Sequence, residues 1–243
     1  MSNDSLILLP HLDDEFALCP IFKNILKKAG KHYRFIFFAE RNEDLKKNKL
    51  LRREECIKSL SLFGVDRSRV IFINDYFSVD DLKLHENSDQ IKSFLTNYHK
   101  QNSINKIYTI NLEGGHPDHD SLALIVDKFC NEMRIKKFFL PAYNYRRTLF
   151  LPLSVLRPLN SQLSYFKVKK INFFDWHASL KIAFIYKSER AAFIKLLPFL
   201  ILKTFFSYRV YIANKIDIHS IDWEKSFTKN RYKTDINLII HKI

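Results

Sequence analysis

The chain has 243 residues, 47% of them hydrophobic and 22 of them Phe, enough for one packed domain and against a disordered or low-complexity chain. Gly and Pro number only 4 and 7, which argues against long flexible linkers. The net charge of +14 is uneven: residues 1–133 carry 19 Lys and Arg against 20 Asp and Glu, residues 134–243 carry 21 against 6, so the second half faces an anionic partner.

In chain order, the first apolar run is Ser5–Pro10 (SLILLP). It is too short, and lacks the basic residues in front, for a signal peptide, and it reads as a buried strand. Similar β-branched and aromatic runs recur at Tyr33–Ala39, Val70–Asn74, Lys106–Asn111 and Lys137–Ala142. Continuous apolar strands of this kind belong to a sheet covered on both faces. Helical stretches separate them: Glu15–Ala29, closed by Gly30; Glu43–Phe63, closed by Gly64; Val79 to His99, with a break; and Asp118–Met133. Strand–helix alternation with right-handed crossovers predicts a Rossmann-like, mostly parallel α/β sheet of order 3-2-1-4-5 with helices on both faces. The core is expected over about residues 1–145. A basic, aromatic-rich C-terminal part of the same domain, partly helical, is expected over about 146–243. The longest apolar stretch, Leu196 to Phe206, is interrupted by Lys203 and falls short of the ~20 residues that span a bilayer. Cys19, Cys56 and Cys130 form no CxxC pair and are expected as buried thiols of a cytoplasmic protein.

Strands 1 and 4 are neighbours in that order, and ligands of open α/β sheets bind where the order reverses. Two polar clusters follow those two strands: His11-Leu12-Asp13-Asp14-Glu15, and Gly114-Gly115-His116-Pro117-Asp118-His119-Asp120. A catalytic zinc site takes three His or carboxylate ligands and keeps one position open. His11 and Asp14, three residues apart at the entry to a helix, can converge on one point that His119 completes from the neighbouring strand. Asp13 is then left as a general base. His116 is left as an imidazolium that stabilises an oxyanion or protonates a leaving amine, with Asp118 orienting it. For Glu15 the plainer reading is a carboxylate favoured at the positive end of a helix.

At these residues the sequence resembles the PIG-L/LmbE-like family of zinc-dependent N-deacetylases. The family's HPDDE-type motif is HLDDE here (His11–Glu15), and its HPDH-type motif is His116–His119. A third element, R-x-x-E with a distal Gly, matches Arg52, Glu55, Ser59, Phe63 and Gly64. A fourth is approximated by KIAFIYKSE, Lys181 to Glu189, one residue shorter between Ala183 and Tyr186. The resemblance covers residues 5–190. It implies His11, Asp14 and His119 as zinc ligands, Asp13 as base, His116 as oxyanion stabiliser and acid, Asp118 as the residue tuning His116, and Arg52 as a contact to the sugar or its phosphate-bearing substituent. The competing reading of Arg52 is an ion pair with Glu55 or a neighbouring carboxylate. The implied activity is removal of the acetyl group from a GlcNAc-like amino sugar, nucleotide- or lipid-linked, in polysaccharide or glycolipid biosynthesis. The alternatives are an amidase acting on an amino-sugar conjugate, and a non-catalytic glycan- or membrane-binding protein. A His₂Asp set also accepts Fe²⁺ or Co²⁺.

Leu12, Ser59, Phe63 and Glu189 depart from the family pattern, and none removes a metal-binding group. Residues 134–215 hold 16 Lys and Arg against Asp175 and Glu189, with aromatics interleaved. Four explanations stand open: a solvated face, peripheral contact with an anionic membrane, a soluble anionic sugar conjugate touching Arg146 and Arg147, and, least favoured, nucleic acid.

Overall fold

A computed structural model describes residues 4–40, 46–144, 154–155, 167–170, 175–206, 209–216, 218–220 and 236–243. The strands β1 (Ser5–Leu9), β2 (Tyr33–Phe37), β3 (Val70–Phe72), β4 (Lys106–Ile110) and β5 (Lys136–Leu140) pair in parallel in the order 3-2-1-4-5. The predicted doubly wound sheet is thus the observed one. Every residue of β1 is buried, because the strand lies between β2 and β4 and is covered on both faces. Ile7 and Leu9 point into one core layer with Phe16, Phe22, Phe35 and Phe37. Leu6 and Leu8 point into the other with Ile36, Ile107, Ile125 and Phe129. The alternation follows from the two-residue period of a strand.

The helices α1 (Glu15–Ala29), α2 (Lys46–Ser61), α3 (Ser88–Asn102) and α4 (Pro117–Met133) supply those layers. Gly30 stands just past α1 at positive φ, as the sequence suggests, whereas α2 ends at Ser61 and Gly64, also at positive φ, lies three residues beyond it. Where a broken helix is expected from Val79 to His99, Asp80–Lys83 form a turn and Leu84–Asn87 a short 3-10 stretch, and the α-helix begins only at Ser88.

Beyond the sheet come β6 (Tyr143–Asn144), β7 (Ser154–Val155), β8 (Lys167–Lys170), α5 (Asp175–Ile185), α6 (Arg190–Phe206), β9 (Arg209–Ile212) and α7 (Ile236–Lys242). β6 pairs with β7 and β8 with β9, both antiparallel. Arg146 and Arg147 lie outside the described residues. The α5–α6 hairpin packs on α1: Phe193 stacks on Phe16 with ring centroids 4.0 Å apart, and Tyr186 meets Phe193 edge-on at 5.2 Å. Among the described residues no helix is long and apolar enough to cross a membrane.

Two details of the β4–α4 loop position the site. Gly115 lies so close to β6 that a Cβ there would stand 2.8 Å from the Tyr143 carbonyl oxygen. Replacing Gly115 by Ala should therefore displace the loop or β6 and cost about 1–3 kcal/mol, read from the denaturant midpoint. Glu113 is buried, accepts the Ala142 N–H at 3.3 Å, and lies near Asp120. Burial, with the Asp120 charge adding to it, pushes its carboxyl well above the ordinary value of 4.5. The folded protein then keeps a proton that the unfolded chain releases above that value. The contribution is complete at lower pH and is lost as pH rises through the folded pKa. Thermal melts between about pH 5 and 8 should show Glu113→Gln flattening this decline, with the gain over wild type largest at the alkaline end.

Candidate active site

Parallel pairing of β1 with β4, Leu8 opposite Thr109, brings both polar clusters to one end of the sheet. In the first cluster the chain turns sharply after β1: the His11 N–H donates to Asp14 Oδ2 at 2.7 Å, fixing the carboxylate just before α1. In the second, His116 caps α4, its Nδ1 accepting the Asp118 N–H at 3.2 Å, with Pro117 starting the helix. Asp120 Oδ1 accepts the Glu113 and Gly114 N–H groups at 2.8 and 3.0 Å, which folds the loop back over the helix start.

Asp14 joins the two clusters. Its Oδ2 is 3.2 Å from His11 Nδ1 and its Oδ1 is 3.0 Å from His119 Nε2. Burial works against the charged form of Asp14, but the His119 and His11 imidazoles outweigh it and hold the carboxyl well below the usual range. The three rings of His11, His116 and His119 have centroids 4.6 to 5.3 Å apart. His119 Nε2 is buried and makes no hydrogen bond of acceptable geometry, although Asp14 is beside it. A buried nitrogen so placed, with His11 Nδ1 and a carboxylate around the same point, suits a divalent cation. Ring nitrogens of His11, His116 and His119 also lie within 4.8 Å of one another, as do ligand atoms of His11, Asp81, His116 and Asp118. Of the first predicted set, Asp14 lies against both His11 and His119, while the converging groups of ligand atoms contain His116 and not Asp14.

The other expected residues fall close by, with changes in partner. Asp118 is expected on His116, but its Oδ2 lies 3.0 Å from His11 Nε2, and only its backbone N–H meets the His116 ring. The Leu82 and Leu84 N–H groups donate to the same carboxylate at 2.7 and 3.0 Å. Asp118 therefore orients the His11 ring through Nε2 rather than the His116 ring. His116 is expected as an imidazolium, whereas burial and the neighbouring His11 and His119 rings push its pKa well below the ordinary value. The neutral ring is favoured. Because Nδ1 accepts the cap hydrogen bond, the ring proton resides on Nε2, 4.0 Å from Asp81 Oδ1.

Asp13 lies at the mouth, its Oδ1 3.7 Å from Arg52 Nη2. Burial raises its pKa and the Arg52 charge opposes the rise. Arg52 also pairs with Glu189 at 2.9 Å, an ion pair with a neighbouring carboxylate of the kind the competing reading expects. Glu55 instead accepts the Lys187 N–H at 2.9 Å and the Ser188 hydroxyl at 2.5 Å. Glu15 is no exposed dipole partner: it is buried, accepts the Tyr186 hydroxyl at 2.6 Å, and burial pushes its carboxyl up to about 8. The same hydroxyl also reaches the Leu12 carbonyl.

Asp81 is the residue that sequence reasoning misses. Its Oδ1 lies 3.2 Å from His11 Nε2, delivered by the turn in which Leu82 adopts φ 68°. It belongs to no motif, and an Asp-Asp pair in a polar turn gives no distinguishing signal. Tyr143 is another, its ring 5.4 Å from that of His119.

Comparison with known proteins bears on the family and the fold. Residues 6–130 match the model of the PIG-L family, described as GlcNAc-PI de-N-acetylase. No curated protein matches. Among solved structures, a deacetylase of teicoplanin biosynthesis superposes with a TM-score of 0.58 at 12% identity, covering 88% of this chain and 100% of the other. The N,N'-diacetylchitobiose deacetylase of Pyrococcus horikoshii gives 0.53 at 17% identity, covering 87% and 83%. A conserved protein of Thermus thermophilus gives 0.59 at 15% identity, covering 91% and 98%. At such identities the structures share the fold with this chain. With the family model spanning the strands, helices and both polar clusters that build the site, the chain belongs to the PIG-L family.

Proposed function

We propose that the protein hydrolyses the acetamide of a GlcNAc-like amino sugar, releasing acetate and a free amine, with a divalent cation held by His11, Asp14 and His119. The observation that carries this reading is Asp14 placed between His11 Nδ1 and the buried, unbonded His119 Nε2, with Asp13 one residue away. Zinc is the cation the donor set suits best, with Fe²⁺ and Co²⁺ as substitutes. A bound cation supplies Lewis acidity, polarising the amide carbonyl and lowering the pKa of water.

The protein's own groups do the rest. Asp13 takes the proton of the attacking water and returns it to the sugar nitrogen as the carbon–nitrogen bond breaks. Its raised pKa makes it a better base than an exposed Asp. His116, neutral with the proton on Nε2, donates a hydrogen bond to the carbonyl oxygen as negative charge develops there. Asp118 keeps His11 aimed at the cation. Arg52, beside Asp13 and anchored by Glu189, is placed to contact a sugar hydroxyl or a phosphate substituent.

Metal analysis together with acetate release from free, nucleotide-linked and lipid-linked N-acetyl sugars tests the reading. Asp13→Ala should keep the metal and lose about 10²–10⁴ in turnover. Asp14→Ala and His119→Ala should lose the metal, and Asp118→Asn should weaken its binding about 10–100-fold. Near-normal turnover in Asp13→Ala, or full metal content in Asp14→Ala, would show the roles to be wrong.

A further inference from the structure

The α5–α6 hairpin has an outer surface that the deacetylase reading does not use. On α5 the exposed positions are 177, 181 and 184, the i, i+4, i+7 stripe opposite the buried Ser179, Ile182, Ala183 and Tyr186. On α6 they are Arg190, Ala191, Ala192, Ile194, Lys195 and Pro198, while Phe193 is buried on Phe16. The two stripes meet at the turn, where the Arg190 guanidinium donates to the Phe184 carbonyl at 3.4 Å.

Two features set this surface apart. Phe184 is 70% exposed and Ile194 58%, on a hairpin whose second helix reads from Phe193 (FIKLLPFLILKTFF) as apolar almost all round. A helix of that composition is normally enclosed by protein or by lipid, yet its described outer positions face outward. The charge is predominantly of one sign. Residues 175–206 contain Lys181, Lys187, Arg190, Lys195 and Lys203 against two acids, Asp175 and Glu189, and Glu189 is paired with Arg52. Apolar side chains ringed by Lys and Arg match a surface with an apolar interior and anionic heads. At 17 residues, with Pro198 inside, α6 is too short to cross a bilayer, which leaves it lying along the surface.

We propose that this face docks the protein onto an anionic lipid surface, with Phe184 and Ile194 entering the headgroup boundary and Lys181, Lys187, Arg190 and Lys195 meeting lipid phosphates. The turn between the helices holds Glu189 and hence Arg52, 3.7 Å from Asp13, so docking would set the mouth of the active site at headgroup level. The proposal is read by binding alone, so it stands or falls separately from the hydrolytic activity.

Flotation of the full chain with phosphatidylcholine vesicles, and with vesicles that also contain phosphatidylglycerol, tests it. The wild type should float with the anionic vesicles, far less with the neutral ones, and should be released by raised salt. Lys187→Glu with Arg190→Glu should reduce partitioning roughly tenfold or more, and Phe184→Ser with Ile194→Ser should also reduce it. A melting temperature close to wild type shows that each variant is folded, and the salt arm needs no variant. Absence of binding to anionic vesicles, or equal binding to both lipids, overturns the proposal. So does a stable dimer that Phe184→Ser dissociates, since a second copy would then be what covers the face.

Discussion

Hydrogen bonding between β1 and β4 is the constraint on which the site depends. Neither HLDDE nor GGHPDHD makes a cavity by itself. β4 pairs with β1 rather than lying beyond β3, and both strands run the same way. Their C-terminal ends therefore open on one side, and the loops leaving them diverge into α1 and α4 on opposite faces of the sheet. His11 and His119, 108 positions apart, then share Asp14. Because β1 is buried on both faces, the strand that carries His11 has no freedom to slide without exposing an apolar layer.

Around that junction the charge arrangement is unbalanced in an informative way. Asp14, Asp81 and Asp118 surround His11, and together they raise its pKa despite the burial that opposes it. On the other lip, burial and then the His11 and His119 rings drive His116 toward its neutral form. Opposite shifts on adjacent rings mark groups with different tasks. His11 is held by carboxylates in one orientation, while His116 keeps its N–H on Nε2, on the side of Asp81.

The C-terminal hairpin closes the molecule through the remaining motifs. Glu55 receives the turn after α5, Glu189 receives Arg52, and the Tyr186 hydroxyl is held at Glu15 and Leu12. The two weaker sequence motifs are thus bonding partners of each other and of the first motif. This explains why a carboxylic acid as buried as Glu15 is tolerated. With its pKa pushed up to about 8, it is neutral and hydrogen-bonded to a phenol rather than an unpaired charge.

What the sequence determined by itself was set by local rules. Strand and helix periods follow from which side chains must leave water, and crossover handedness from backbone chirality, so the sheet order was legible in advance. The association of His11, Asp14 and His119 was legible for the same reason, since each stands within a few residues of a strand end. The partners of individual side chains were not. That Asp118 reaches His11, that Asp81 enters from an ordinary polar turn, and that Arg52 is shared by Asp13 and Glu189 depend on loops packed by tertiary contacts. The charge of His116 likewise depended on which rings would surround it. Burial and distance exist only in the folded chain, and they decide both protonation and pairing.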